Sequence, residues 1–112
     1  MPQDEDDGHV MFMYQMILYM YVPDENDPDY VAIYIPCIYE VEDDNEVEAL
    51  RVINECNINV KTSKLILANN ENVWAAYEVH VLCGVELDDM IRSIVICLYD
   101  TKERFEKEMK EL

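Results

Sequence analysis

The stretch HVMFMYQMILYMYV, running from His9 to Val22, holds one strongly polar side chain in its interior, Gln15. That much apolar surface must be hidden, and the fold follows from what hides it. Length argues against a membrane, because a spanning helix needs about 20 apolar residues. This run is shorter and is bounded by acids, DEDD before it and DENDPD after it. Its Tyr, Val, Phe and Ile content suits a pleated strand. Asp7-Gly8 ahead of it has hairpin-turn chemistry, and Asn26-Asp27-Pro28-Asp29 behind it reads as a second turn. The expectation is one long strand over 9–22, interrupted near Gln15.

Working outward, DYVAIYIPCIYEV predicts a second strand over 29–40. Strict alternation puts Val31, Ile33, Ile35, Cys37 and Tyr39 on one face and Tyr30, Ala32, Tyr34, Pro36 and Ile38 on the other. Pro36 has no N–H for a ladder, so it marks an edge, a bulge or the strand end. The period then changes. EDDNEVEALRVINECN opens a helix near Asp44 or Asn45, with acids in the first turn where the helix dipole favours them. Ala49, Val52, Ile53 and Cys56 share an arc at helical spacing, and Val47 and Leu50 lie outside it.

KLILANNENVWAAYEVHV reads as a hairpin, Leu65–Ala68 pairing with Val73–Leu82 across NNEN. On its second strand Val73, Ala75, Tyr77, Val79 and Val81 are expected to meet the helices. Trp74, Ala76, Glu78, His80 and Leu82 face away. Gly84 closes the strand, and a long amphipathic helix follows from about Leu87 to Glu111. It carries Leu87, Ile91, Ile94, Leu98, Phe105, Met109 and Leu112 at spacings of three, four and seven. The expected class is α+β: a two-layer antiparallel sheet with helices on one face, in the order ββαββα.

The 112 residues make one domain, 1–112, with 1–8 an acidic N-terminal turn outside the ordered core. Apolar residues are 51% of the chain, which argues against disorder. The net charge of −17 argues against nucleic acid and anionic membrane surfaces as partners, since both demand basic side chains. The charge is lopsided. Residues 1–50 hold 14 acids and no base, and residues 51–112 hold 11 acids and 8 bases. Beyond solubility, such a field steers encounter with basic partners. The four cysteines, Cys37, Cys56, Cys83 and Cys97, lack zinc or CxxC spacing and read as free thiols of a reducing cytoplasm.

An antiparallel sheet covered on one side normally shows water a polar outer face. Here the first two strands would show it Tyr, Met and Ile. Six of the eight tyrosines lie between Tyr14 and Tyr39, and Tyr and Met are enriched at interfaces. Tyr14, Tyr19, Tyr21, Tyr34 and Trp74 are therefore the candidate partner-contact residues. For Trp74 the plainer alternative is that it simply covers the sheet.

DEDDGHVMFMYQ, the turn DENDPDYVAIYIP and ALRVINECNINVKTSKLILANNENVWAAYEV together resemble the YbjN-domain family of small bacterial proteins. Asn54 and Asn57 match its helix-end asparagines, and Asn70, Glu71 and Asn72 match its second turn. The likeness covers almost the whole chain, but its motifs are patterns rather than catalytic signatures. The family is named for sensory transduction regulators. Its fold is similar to that of class I type III secretion chaperones, small acidic dimers that bind extended client segments. Family members begin with a helix and short strand before the acidic turn, whereas this sequence starts almost at the turn. The resemblance therefore implies an uncovered part of the sheet and a free strand edge, and so self-association.

Chemistry finds little purchase. His9 and His80 are the only histidines, and no Ser or Cys sits in a recognisable nucleophile elbow. Asp24, Asn26 and Pro28 break the calcium-loop template, as do Asp4, Asp6 and Gly8. Two glycines cannot build a phosphate loop. No catalytic residue, metal site or cofactor is expected. The reading is a non-enzymatic cytoplasmic module that dimerises with itself and binds a protein or peptide client. The alternatives are a structural homo-oligomer with no client and a small-ligand-binding domain.

Overall fold

His9 to Val22 folds as a hairpin rather than as one strand. In the computed structural model, which describes residues 3–4, 9–69, 71–81 and 86–111, strand β2 (Val10–Tyr14) turns at Gln15-Met16 into strand β3 (Ile17–Tyr21). Both turn residues have positive φ, 50° and 67°. This is the two-residue hairpin geometry that matches strand twist and that Asn-Gly usually supplies. Tyr14 pairs with Ile17 and Val10 with Tyr21. The turn falls at the one polar interruption, so the interruption was visible and the reversal was not.

The remaining elements are β1 (Gln3–Asp4), β4 (Tyr30–Glu40), α1 (Glu46–Asn59), β5 (Lys64–Ala68), β6 (Asn72–His80) and α2 (Leu87–Lys110). The sheet is antiparallel throughout, with strands in the order β1-β2-β3-β4-β6-β5. Strand β1 is a two-residue addition to a sheet of five longer strands. The fold class is thus α+β, but four strands precede the first helix instead of two. Most of the acidic turn expected at 1–8 lies outside the described residues, as do Asn70, the end of the 73–82 strand, Cys83, Gly84 and Leu112.

Both helices pack on one side of the sheet. The core joins Val31, Ile33 and Ile35 of β4 and Val73 and Ala75 of β6 to Val52, Ile53 and Cys56 of α1 and Ile94, Val95, Leu98 and Phe105 of α2. Ala49, Val52, Ile53 and Cys56 are buried as their spacing predicts, and Val47 and Leu50 are exposed. Burial raises the Cys56 thiol pKa, consistent with a cysteine that packs as a hydrophobe.

Strand β4 breaks its alternation after Ile35. Residues 36–38 bulge between the pairs Ile35–Ala75 and Tyr39–Val73, and Cys37 takes φ 54°. The bulge inverts the expected faces there. Cys37 is exposed, and Ile38 turns to pack against the core. Pro36 also ends the β3–β4 ladder. Val22 N–H donates to Ala32 O at 3.0 Å, and the last paired residues are Met20 and Tyr34. Two residues further, the register brings Leu18 opposite Pro36, which has no N–H to give. The distal half of the hairpin therefore leaves β4 as a two-stranded arm.

At the opposite side of the sheet, α1 seals the edge strand β5. Asn57 Nδ2 donates to Leu65 O at 3.0 Å, and Leu65 N–H donates to Asn57 Oδ1 at 2.8 Å. The side-chain amide thus stands where a neighbouring strand would pair. Lys64 Nζ donates to Asn57 O and Val60 O, at 2.8 and 2.7 Å, satisfying carbonyls at the helix end. Buried Ser63 and Thr101 share a hydrogen bond, and Thr101 Oγ1 donates to Cys97 O at 2.9 Å, tying this corner to α2.

Candidate functional site: the outer face of the sheet

With both helices on one side, the other side of the sheet is left to its own side chains. Register fixes which ones. Met11 pairs with Met20 and Met13 with Leu18, and Met20 pairs in turn with Tyr34. Tyr34 pairs with Ala76, and Trp74 pairs with Ile66. These residues occupy alternate positions to the core residues of the same strands, so they share the outer face. Met13 is 53% exposed and Leu18 and Ile66 are each 42% exposed. Alanines at 32 and 76 are small enough to be hidden by their neighbours. Tyr34 and Trp74 meet edge to face, ring centroids 5.9 Å apart, near the centre of the patch. The Trp74 indole Nε1 is buried with no hydrogen-bond partner among the described residues. The ring is therefore held by packing alone.

The five candidate contact residues do not share this surface. Tyr34 and Trp74 lie on it. Tyr14, Tyr19 and Tyr21 lie on the helix side, because the two-residue turn pairs even positions of β2 with odd positions of β3. Tyr19 is 1% exposed and stacks on Phe12 at 5.3 Å, so it is a core residue. Its pKa is pushed up to about 12 by burial, with Tyr14 and Tyr99 adding to the rise. Tyr21 is half-buried against the core. Tyr14 lines a groove of about 240 Å³ between the arm and α2, with Phe12, Ile91 and Val95 as its apolar lining and Asp88 and Arg92 beside them. The residues that the sequence reading missed are Met11, Met13, Leu18 and Met20. Only the register across the hairpin places them together.

One end of the outer face carries Tyr30, Glu78 and His80, and the other carries Glu40 opposite Asn72. Tyr30 Oη donates to Glu78, which raises the tyrosine pKa. His80 Nε2 lies 2.6 Å from Asp27 Oδ2 and beside the Tyr30 ring, tethering the 24–29 turn to β6. His80 is an exposed strand residue with a structural partner, and neither Ser nor Cys stands among its hydrogen-bond partners. Among the described residues no three His, Cys, Asp or Glu side chains converge as metal ligands. No helix among them is long and apolar enough to cross a membrane.

Exposed apolar surface is what interaction sites are built from, and Met, Tyr and Trp are side chains that interfaces favour. Comparison of the chain with protein-family models and with curated proteins finds no match.

Proposed function

We propose that the chain is a non-enzymatic protein-binding module, similar in kind to the YbjN and secretion-chaperone-like proteins, that acts in the cytoplasm as a homodimer holding a protein or peptide client. The observation that carries this reading is the outer face. Two helices on one side leave Met13, Leu18 and Ile66 exposed and Met20, Tyr34 and Trp74 half-buried on the other. The acidic half of the chain favours basic clients and speeds their encounter. The groove between the arm and α2 is a second apolar surface, sized for a single large side chain of a bound segment.

The test is a Tyr34→Ser/Trp74→Ser double variant. Its far-UV circular dichroism should match the parent, and its solution mass by light scattering should fall. A double variant with the parent's mass would reject the outer face as the contact surface. The groove also favours a second reading, a small-ligand domain, since a ligand that binds only the folded state raises the melting temperature. A metabolite whose addition raises the melting temperature of the parent, but not of a Tyr14→Ala variant, would put that reading first.

A further inference from the structure

We propose that a second copy of this chain covers the outer face, packed sheet on sheet about a two-fold axis to give a four-layer helix–sheet–sheet–helix dimer. This rests on the homodimeric protein-binding reading above and adds its geometry.

Charge selects the partner. Each chain carries −17, so two copies repel wherever charged surfaces meet. On the outer face the described strands place Lys64 at the β5 edge, Glu78 and His80 at one end and Glu40 at the other. Glu78 is already engaged by Tyr30 and His80 by Asp27. The centre is neutral, so it is where two such chains meet with least repulsion. A basic client would find few carboxylates there.

Area allows it. Five strands spaced about 4.8 Å apart, β2, β3 and β5 being five residues long, make roughly 400 Å² in projection, the β2–β3 arm included. Side-chain relief brings this within reach of the roughly 800 Å² per partner that stable interfaces bury. The edges favour the face. Asn57 and Lys64 close β5, so pairing edge to edge is blocked there. Sheets packed face to face need no free edge, only interdigitating side chains about 10 Å apart. Methionines suit a self-complementary contact because they adapt to their own image.

Trp74 is the only tryptophan and lies on this face, so it reports directly. The experiment follows light-scattering mass and Trp74 emission together over a dilution series. It uses the parent chain, Leu18→Glu on the face and Ile58→Glu on the exposed side of α1. Met13→Glu serves if Leu18→Glu fails to fold. The expected result is a dimer whose emission moves to the red as its mass halves. Leu18→Glu should weaken dimerisation at least tenfold, and Ile58→Glu should leave it unchanged. A dimer broken by Ile58→Glu and not by Leu18→Glu would overturn the proposal by placing the interface on the helices. A monomer at every concentration with red-shifted emission would overturn the second copy as occupant and the homodimer with it, and would leave only client binding by a single chain. A monomer with blue, concentration-independent emission would overturn the second copy equally, since the packing of a single chain already buries the Trp74 indole nitrogen.

Discussion

The two faces of this sheet are built from the same five strands, yet only one is a core. The inner face uses Val31, Ile33, Ile35, Val73 and Leu65, with short or branched side chains locked against α1 and α2. The outer face uses Met11, Met13, Met20, Tyr34 and Trp74, which are long, flexible or flat. Branched side chains lose little on being fixed and so suit a permanent core. Methionine and the large aromatics suit a surface that must accept another surface. The inner face also holds Phe12 and Tyr19, so the sharpest difference is cover: α1 and α2 lie on one face and not on the other.

The largest effect should come from the inner face. Ile33→Ala removes a fully buried side chain and should cost about 2–5 kcal/mol in denaturant unfolding. Leu18→Ala on the outer face should cost far less in the monomer, within about 1 kcal/mol. Equal losses would erase the distinction between the faces. Next comes the sealed edge. Asn57→Ala strips Leu65 of both partners and should cost about 1–3 kcal/mol, with faster exchange of the Leu65 amide. An unchanged exchange rate would show that water serves that edge as well as the amide does.

Smaller effects sharpen the arm. Gln15→Asn/Met16→Gly places at the turn the residues its positive φ angles favour, and should stabilise the hairpin by about 1 kcal/mol. A loss of stability would mean that the reversal lies elsewhere. Alkaline pH separates a core tyrosine from surface ones. The folded pKa of Tyr19, pushed up to about 12, lies above its unfolded value near 10. Its contribution is therefore complete below pH 10 and is lost as the pH rises through 12. Denaturant midpoints should fall above pH 10, and less steeply in Tyr19→Phe. Tyr34 and Tyr99 shift in the same direction and leave a residual fall.

Much of this fold was legible from residue periodicity. The helical arc of Ala49, Val52, Ile53 and Cys56 and the alternation of Val73–His80 each had one period and one apolar side. The β2–β3 hairpin was not legible, because Gln15-Met16 lacks turn chemistry. Cross-strand pairing holds both residues at positive φ against their local preference. Missing that reversal hid the parity of β3, so Tyr19 stood with Tyr34 among the expected contacts. The bulge at 36–38 was signalled by Pro36, but no local rule says that Cys37 will turn out and Ile38 in. The outer face was foreseen as an apolar excess. Its membership in Met13, Leu18 and Met20 needed the register.

The most direct test is methionine oxidation followed residue by residue by mass spectrometry at high and low protein concentration. Met16 sits at the turn and is 92% exposed, so it should react quickly at both concentrations. In a sheet-on-sheet dimer Met13, half exposed in a single chain, should be protected at high concentration and approach the rate of Met16 on dilution. A rate for Met13 that ignores concentration would show that its face meets nothing, and the outer sheet could not then be the interface.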